Sequence, residues 1–281
     1  MPVTTNKANE PDSPPLEAFW QRVAKRPGYY LKRLPSWGLL KCSPLFRHTA
    51  CRLQAAMDID PAGWSYRPDF ASAVGGFFLP GDPVARRIAP FPSWDLVRRD
   101  ALILLLRSVV KRNVPGDLAE LGVYQGVTAR LFHEYCPDRT LLLFDTFTGF
   151  DTRDTTSREG RLGMFADTSA AAVLRYVAAG NADMTNVLVR QGYFPDSIAS
   201  DDPDRRFAFV HLDADLYGPI RAGLEFFYPR LNPGGIIVVH DYNSWEGARR
   251  AVDEFSACIP DIPLPLPDKS GSVLIVRGSS A

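Results

Sequence analysis

The feature that most constrains the fold is an alternation of short apolar runs and amphipathic stretches that begins after Pro92. Short apolar runs bounded by turn residues are typical of buried strands, and apolar residues at helical spacing indicate the helices between them. The predicted strands are 118–121, 141–144, 187–190, 208–212, 236–239 and 273–276. Strands that alternate with helices in this way form a parallel sheet with helices on both faces. The sequence therefore predicts an α/β fold.

Helical spacing fills most of the gaps between these strands. The predicted helices cover 93–113, 127–135, 168–179, 219–231 and 244–259. Pro219 suits the first turn of its helix, where the N–H that proline lacks is not needed. Ile220, Leu224 and Phe227 then recur on one side of this helix. Such an apolar stripe predicts that the helix packs against the sheet.

Proline usage divides the chain into regions. More than half of the 24 prolines stand at or before Pro92. Residues 1–15 are polar with several prolines, which predicts disorder. Residues 16–92 alternate aromatic clusters with proline and glycine, and we expect an accessory segment that forms a lid or a dimer contact. Residues 93–281 then form the sheet domain, and a homo-oligomer is one expected assembly.

Composition excludes several classes of protein. Lys plus Arg and Asp plus Glu are both 32, so the chain lacks the strong basic field of nucleic-acid binders. No apolar run approaches the ~20 residues that span a bilayer, and residues 1–15 lack the apolar core of a secretory signal. The four cysteines are scattered, which fits thiols in a reducing compartment better than a zinc site or a disulfide framework. These observations predict a cytoplasmic protein and are compatible with an enzyme that acts on a small molecule.

The first strand ends in a turn that contains two glycines. The segment ELGVYQG at 120–126 places Glu120 at the strand end and Gly122 and Gly126 around the turn. Gly122 permits a tight turn and the close approach of a ligand to the backbone. The spacing is neither that of a dinucleotide-binding turn nor that of a P-loop. An ordinary turn between a strand and a helix is the alternative interpretation.

The second strand ends at Asp145, 25 residues after Glu120. A carboxylate at this position can accept hydrogen bonds from both hydroxyls of a ribose. Alone, such an aspartate can equally be a turn or cap residue. Together with the glycine turn, Asp145 favours a nucleoside-type ligand.

Acidic residues also follow the fourth and fifth strands. Asp213 comes after one strand, and His240 and Asp241 come after the next. Because the carboxyl ends of parallel strands meet at one edge of a sheet, we expect these side chains to converge there. Converging carboxylates repel one another unless positive charge lies between them, and hard cations such as Mg²⁺ prefer oxygen-rich sites.

At this point the motifs resemble the macrocin O-methyltransferase family. The matching segments are VPGDL at 114–118, ELGVYQG at 120–126, DTFTG at 145–149, DADLY at 213–217 and PGGIIVVHDY at 233–242. The family includes sugar O-methyltransferases of macrolide and aminocoumarin biosynthesis, which are class I enzymes that use S-adenosylmethionine (SAM) and Mg²⁺. The resemblance spans about residues 92–277. It implies a Rossmann-like, mostly parallel class I methyltransferase sheet with the N-terminal segment as an accessory.

The resemblance implies roles at the matching cofactor positions. It assigns the SAM turn to residues after the first strand, the ribose to residues after the second, and the adenine edge to the segment RQGYFPD at 190–196. The resulting cofactor-binding set is Glu120, Gly122, Tyr124, Gly126, Asp145, Thr146, Gln191, Gly192 and Asp213.

The resemblance also implies a metal and a base. Asp213 is the expected metal ligand and general base, and Asp241 is a second ligand. His240 stands where the family commonly has the first of two adjacent acids, so it is expected to act as a ligand or a base. Thr148 stands where the family has an acid.

The function expected from these residues is SAM-dependent, Mg²⁺-assisted methyl transfer to a hydroxyl of a small molecule. A sugar moiety of a natural product or glycan is the favoured acceptor, and a phenol is an alternative. One alternative is an NAD(P)-dependent oxidoreductase on a similar fold, and another is a non-catalytic SAM-binding or scaffold protein. Candidates for the acceptor pocket, with ordinary packing as the alternative, are Asp215, Tyr217, Tyr242, Asn243 and Trp245. Residues 151–161 are polar without periodicity, which predicts a mobile lid or an ordinary surface loop.

Overall fold

The computed structural model describes residues 96–154 and 161–278, so the segments predicted at 1–15 and 16–92 lie outside the described residues. Its strands are β1 (Asp117–Leu121), β2 (Leu141–Asp145), β3 (Val187–Gln191), β4 (Phe207–Leu212), β5 (Leu231–Val239), β6 (Leu264–Pro265) and β7 (Val273–Val276). Its helices are α1 (Leu96–Lys111), α2 (Val127–Tyr135), α3 (Ala170–Ala178), α4 (Tyr217–Phe227) and α5 (Glu246–Ser256). None of these helices is long and apolar enough to cross a membrane.

The seven strands form one sheet in the order β3-β2-β1-β4-β5-β7-β6. β1 to β5 pair in parallel, whereas β7 runs antiparallel to both β5 and β6. The prediction of a mostly parallel sheet is therefore confirmed. From β1 the chain proceeds outward through β2 and β3, and it then returns to place β4 and β5 on the other side of β1. In open α/β sheets such a reversal of strand order creates a crevice at the carboxyl ends, where ligands bind.

Apolar side chains fill both faces of the sheet. On one face, α1, α2 and α3 contribute buried residues that include Ile103, Phe132 and Val177. On the other face, α4 and α5 contribute Leu224 and Phe255 among others. Burying one large apolar side chain stabilises the fold by roughly 1.5–3 kcal/mol. Helices on both faces were predicted, and the two clusters confirm this layered arrangement.

The boundary between α4 and β5 differs most from its prediction. Helix was predicted through residue 231, but α4 ends at Phe227 and a 3₁₀ turn, Tyr228–Arg230, follows. Pro229 lies in that turn and cannot donate the backbone hydrogen bond that a further α-helical turn requires. β5 begins at Leu231 rather than at 236, and Leu231 pairs with Phe207. The intervening proline and two glycines concealed the start of this strand, because both residue types are depleted in strands.

Candidate active site

The carboxyl ends of the parallel strands enclose a cavity of about 550 Å³. Its lining includes most of the residues predicted from sequence, namely Glu120, Gly122, Tyr124, Asp145, Thr146, Gly192, Asp213, His240 and Asp241. Two predicted residues lie elsewhere: Gln191 is exposed at the end of β3, and Gly126 precedes the first turn of α2. The volume falls within the roughly 300–1,000 Å³ typical of small-molecule sites.

Both glycines of the β1 turn adopt conformations that favour glycine. Gly122 has φ +86° and Gly126 has φ +81°. A Cβ atom on Gly122 would meet the backbone carbonyl of Asp213, and one on Gly126 would meet the side chain of Val173. The sequence predicts a tight turn at Gly122 and the close approach of a ligand to its backbone. The tight turn is present, and the close approach that the structure shows is that of the chain after β4.

Asp145 organises the same turn through its carboxylate. Its Oδ2 accepts hydrogen bonds from the backbone N–H groups of Val123 at 2.7 Å and Tyr124 at 2.8 Å. Its Oδ1 accepts one from Phe147 at 2.7 Å. Each carboxylate oxygen has two lone pairs, so Oδ1 keeps the capacity to accept a hydrogen bond from a ligand hydroxyl. The acid at the end of β2 therefore fixes the β1 turn and still faces the cavity.

Glu120 makes a buried contact that the sequence did not predict. Its Oε1 lies 3.0 Å from Nδ1 of His211 on β4, and both side chains are almost completely buried. Its other oxygen, Oε2, is buried without a hydrogen-bond partner in the described part of the chain. Burial raises the pKa of Glu120 well above its usual range and lowers that of His211 well below it. Glu120 thus joins β1 to β4 at the floor of the cavity.

Asp213, His240 and Asp241 meet at the ends of the adjacent strands β4 and β5, as the sequence predicted. His240 Nδ1 lies 2.8 Å from Asp213 Oδ1 and 3.0 Å from Asp241 Oδ2. One potential ligand atom from each of the three residues lies within 4.8 Å of the other two. Burial lowers the pKa of His240, but the carboxylates raise it more, to about 10. This arrangement offers two carboxylate oxygens and one imidazole nitrogen at one point of the cavity wall.

Arg98 completes this cluster from α1 and was missed by the sequence analysis. Its Nη2 donates a hydrogen bond to Asp213 Oδ2 at 2.5 Å and lies 3.4 Å from Nε2 of His211. Although burial alone would raise it, the charges of Arg98 and His240 hold the pKa of Asp213 well below its usual range. No local motif marks Arg98, because its partner is 115 residues away.

Asp215 is a further carboxyl group of the cavity lining. It adopts the left-handed conformation, with φ +58°, and forms a side-chain hydrogen bond with Asp241. Burial raises its pKa well above the usual range, and the charge of Asp213 adds to this effect.

An aromatic wall, formed by Tyr124, Phe165, Phe150 and Trp245, lines another side of the cavity. The ring centroids of Tyr124 and Phe165 lie 5.3 Å apart, those of Phe165 and Phe150 lie 5.3 Å apart, and those of Phe150 and Trp245 lie 5.8 Å apart. All three pairs pack edge to face, an arrangement favoured by the ring quadrupoles. The wall offers an aromatic surface in the same cavity as the acidic cluster.

The remaining acceptor-pocket candidates face different neighbours. The hydroxyl of Tyr217 donates to Glu254 at 2.6 Å, and that of Tyr242 donates to Asp253 at 2.8 Å. Both acceptors lie on α5, so Tyr217 ties the start of α4 to α5 and Tyr242 ties the segment after β5 to α5. These contacts correspond to the packing alternative. Asn243 hydrogen-bonds Arg249 through its side chain. Asp215 and Trp245 are the two candidates that line the cavity.

The loop predicted as a lid is described on both sides of residues 155–160. Asp151 and Asp154 line the cavity. Arg153 stacks over the ring of Tyr193 at 3.5 Å and donates to Asp196 at 2.6 Å. Tyr193 in turn donates to Asp154 at 3.0 Å. These contacts join the loop after β2 to the segment after β3 at the cavity rim.

The fold is that of class I methyltransferases. The solved structure of the O-methyltransferase NovP matches with a TM-score of 0.58 at 25% identity, covering 66% of this chain and 81% of NovP. CalS11, a calicheamicin methyltransferase, matches with a TM-score of 0.55 at 20% identity over 99% of this chain and 100% of that chain, which is a likeness of fold.

The family model of macrocin-O-methyltransferase (TylF) matches residues 97–267, and the chain belongs to this family. It is 32% identical over 164 residues to mycinamicin III 3''-O-methyltransferase of Micromonospora griseorubida, covering 53% of this chain and 64% of that protein. It is 29% identical over 164 residues to demethyldecarbamoylnovobiocin O-methyltransferase of Streptomyces niveus, covering 54% and 62%. The chain thus spans less than two thirds of the length of these relatives.

Proposed function

We propose that this protein transfers the methyl group of SAM to a hydroxyl of a small molecule, with a sugar moiety as the acceptor. The observation that carries the proposal is that one cavity is lined both by the β1 turn with Asp145 and by Asp213 with His240. A nucleoside site beside an acidic cluster suits transfer from a nucleoside-bearing donor to a hydroxyl. Membership of the macrocin-O-methyltransferase family supports the same reaction.

The residues around the β1 turn are the proposed SAM site. Gly122, Tyr124 and Gly126 shape the turn, and Asp145 with Thr146 would hold the ribose hydroxyls. Gly192 lines the cavity beside Tyr193, which supports the adenine edge there. Gln191 is exposed as the last residue of β3 and does not line the cavity. Its proposed role is to place the following residue, Gly192, at the cavity. Glu120 stabilises the floor of the site, because its contact with His211 links β1 to β4.

The reaction joins the acceptor oxygen to the transferred carbon. Bound SAM would supply an electrophilic methyl group on its sulfonium, and the carbon–sulfur electron pair would remain on sulfur as the new carbon–oxygen bond forms. Asp213, kept ionised beside Arg98, is the proposed acceptor of the hydroxyl proton. His240 has a pKa of about 10, so it is the second candidate only after it has lost its own proton. The protein must hold the acceptor oxygen about 3–3.5 Å from the methyl carbon and in line with the carbon–sulfur bond. An enclosed cavity favours this arrangement because it limits the movement of both molecules.

We propose that a divalent metal ion assists this step. Mg²⁺ is the ion expected from the family resemblance. Asp213, His240 and Asp241 fit such an ion, because their potential ligand atoms converge within 4.8 Å of one another. A metal held there would supply a Lewis acid that lowers the pKa of a nearby hydroxyl. Arg98 and Asp215 would keep the two carboxylates in place around it.

The aromatic wall supports a sugar acceptor. A sugar ring has apolar C–H faces that can stack on aromatic rings, while its hydroxyls need polar partners such as Asp151 and Asp154 at the rim. One matching relative is named 8-demethyl-8-(2,3-dimethoxy-alpha-L-rhamnosyl)-tetracenomycin-C 4'-O-methyltransferase, of Streptomyces olivaceus. That name includes a rhamnosyl group, and we extend sugar methylation to this chain on the strength of the cavity's mixed lining.

The cytoplasm is the proposed compartment, because unpaired thiols persist in reducing surroundings. Cys136 and Cys258, the two cysteines in the described part of the chain, are free. Residues 16–92 remain, as proposed, a lid or dimer contact for the domain at 93–281.

Ligand binding tests the proposed function. In a thermal-shift experiment on the full chain, SAM and its demethylated product are expected to raise Tm, since a ligand that binds the native state stabilises it. NAD and NADP are the matched controls and are expected to leave Tm unchanged. Stabilisation by a nicotinamide cofactor would support an oxidoreductase, and stabilisation by none of these compounds would support a scaffold without a cofactor.

A further inference from the structure

We propose that the metal site formed by Asp213, His240 and Asp241 selects a first-row transition-metal ion, such as Mn²⁺ or Co²⁺, over Mg²⁺. The inference rests on the proposed function, which places a divalent ion at these residues, and it specifies the identity of that ion. The determining residue is His240, which contributes a nitrogen where two carboxylates contribute oxygens.

Two of the three spacings between the donor atoms match edges of a coordination octahedron. His240 Nδ1 lies 2.8 Å from Asp213 Oδ1 and 3.0 Å from Asp241 Oδ2. Neighbouring ligands in an octahedron with metal–ligand bonds of about 2.1 Å are about 3 Å apart. The imidazole nitrogen therefore lies at a ligand position between the carboxylates.

The imidazole is held firmly in that position. The side chain of His240 is only 8% exposed, and that of Asp241 is 12% exposed. His240 follows β5 directly, and its backbone N–H donates to Leu212 at the end of β4. A buried side chain anchored at a strand end has little freedom to turn away and leave an all-oxygen site.

The chemistry of these donors favours a transition metal. Mg²⁺ prefers oxygen ligands, whereas imidazole nitrogen suits transition-metal ions and binds them more strongly along the Irving–Williams order. Arg98 also places positive charge on the second oxygen of Asp213. This neighbour weakens the purely electrostatic attraction on which Mg²⁺ depends, so the metal–nitrogen bond becomes a larger share of the binding energy.

Metal binding to the metal-free full-length protein tests the proposal. Isothermal titration with MgCl₂, MnCl₂ and CoCl₂ is expected to show Mn²⁺ or Co²⁺ binding at least about tenfold more tightly than Mg²⁺. Pulsed EPR of the Mn²⁺ complex is expected to show coupling to the imidazole nitrogen. His240→Asp should remove that coupling and shift the preference toward Mg²⁺. Glu225→Gln, at an exposed glutamate paired with Arg221, is the matched control and should change neither result.

Three outcomes would overturn the proposal: equal or tighter binding of Mg²⁺, a Mn²⁺ complex without nitrogen coupling, and no binding of any of the three ions. Binding of the demethylated product of SAM is measured on the same samples. If that product binds while the metal result fails, the ion assignment is wrong and the proposed methyltransferase function stands. If the product does not bind, the proposed function itself fails.

Discussion

Arg98 on α1 donates a charged hydrogen bond to Asp213 after β4, and the two side chains are 11% and 20% exposed. Such a pair is costly to break on one side, because the remaining charge stays in a poorly solvated place. The guanidinium also fixes one oxygen of Asp213, so the other oxygen faces His240. Helix α1, which contains none of the motifs found in the sequence, thus positions the Asp213 carboxylate through Arg98.

Removing Arg98 is expected to impair both stability and turnover. Arg98→Ala should lower the free energy of unfolding by about 3 kcal/mol, as for other buried pairs that lose one partner. Turnover should also fall, whereas Arg98→Lys should restore part of it by returning the charge. Urea denaturation and steady-state kinetics measure the two effects. Arg221→Ala removes an exposed ion pair and should cost at most about 1 kcal/mol. Equal effects of the two alanine variants would contradict this role of Arg98.

Asp213→Asn is expected to abolish methyl transfer while leaving binding of the demethylated SAM product within a few-fold of wild type. The substitution keeps the size of the side chain but removes the charge that is proposed to accept the proton. Calorimetry of product binding and a methyl-transfer assay separate the two properties. A purified variant with near wild-type turnover would show that Asp213 is not the proton acceptor.

Gly122→Ala is expected to destabilise the protein more than Gly163→Ala. Both glycines have positive φ, +86° and +84°, so both substitutions strain the backbone by about 1–3 kcal/mol. A Cβ on Gly122 would also meet the backbone of Asp213, whereas one on Gly163 would meet open space. The difference in Tm between the variants measures the close packing of the β1 turn on the end of β4. Equal decreases in Tm would mean that the β1 turn can move away from Asp213 without loss of stability.

Trp245→Ala is expected to raise KM for the acceptor roughly tenfold without changing the affinity for the demethylated SAM product. The ring of Trp245 ends the aromatic wall, where it packs against Phe150. Aromatic contacts of this kind contribute about 0.5–1.5 kcal/mol beyond the area that they bury. Trp245→Phe keeps a ring and should recover most of the affinity. If both variants weaken product binding equally, Trp245 belongs to the cofactor side.

Asp100 on α1 is expected to make stability depend on pH. Burial raises the pKa of its carboxyl to about 6, despite the hydrogen bond and the charge of Arg99. The folded state therefore holds the proton more tightly than the unfolded state, and stability falls as pH rises from about 4 to about 6. Asp100→Asn should gain about 1–3 kcal/mol over wild type at pH 7.5. The gain should shrink in denaturation curves measured at pH 5, and a constant difference would contradict the assignment.

The sequence predicted the sheet, its layers and the residues at its strand ends, because these depend on local order. Apolar runs show where strands are buried, and the carboxyl ends of parallel strands must share one edge. Asp213 and His240 follow strand ends directly and Asp241 comes next, so their meeting could be predicted without coordinates. The limits of α4 and β5 could not, since proline and glycine interrupted the apolar pattern.

The tertiary structure alone decided which distant residues complete the site. Arg98 reaches Asp213 from a helix with no motif of its own, and His211 reaches Glu120 across two neighbouring strands. Phe150 and Trp245 come together although nearly a hundred residues of chain separate them. Such contacts depend on how helices and loops pack against the sheet. A pattern in the sequence gives information only about residues that are close along the chain. Local chemistry therefore determined where the site lies, and packing determined what surrounds it.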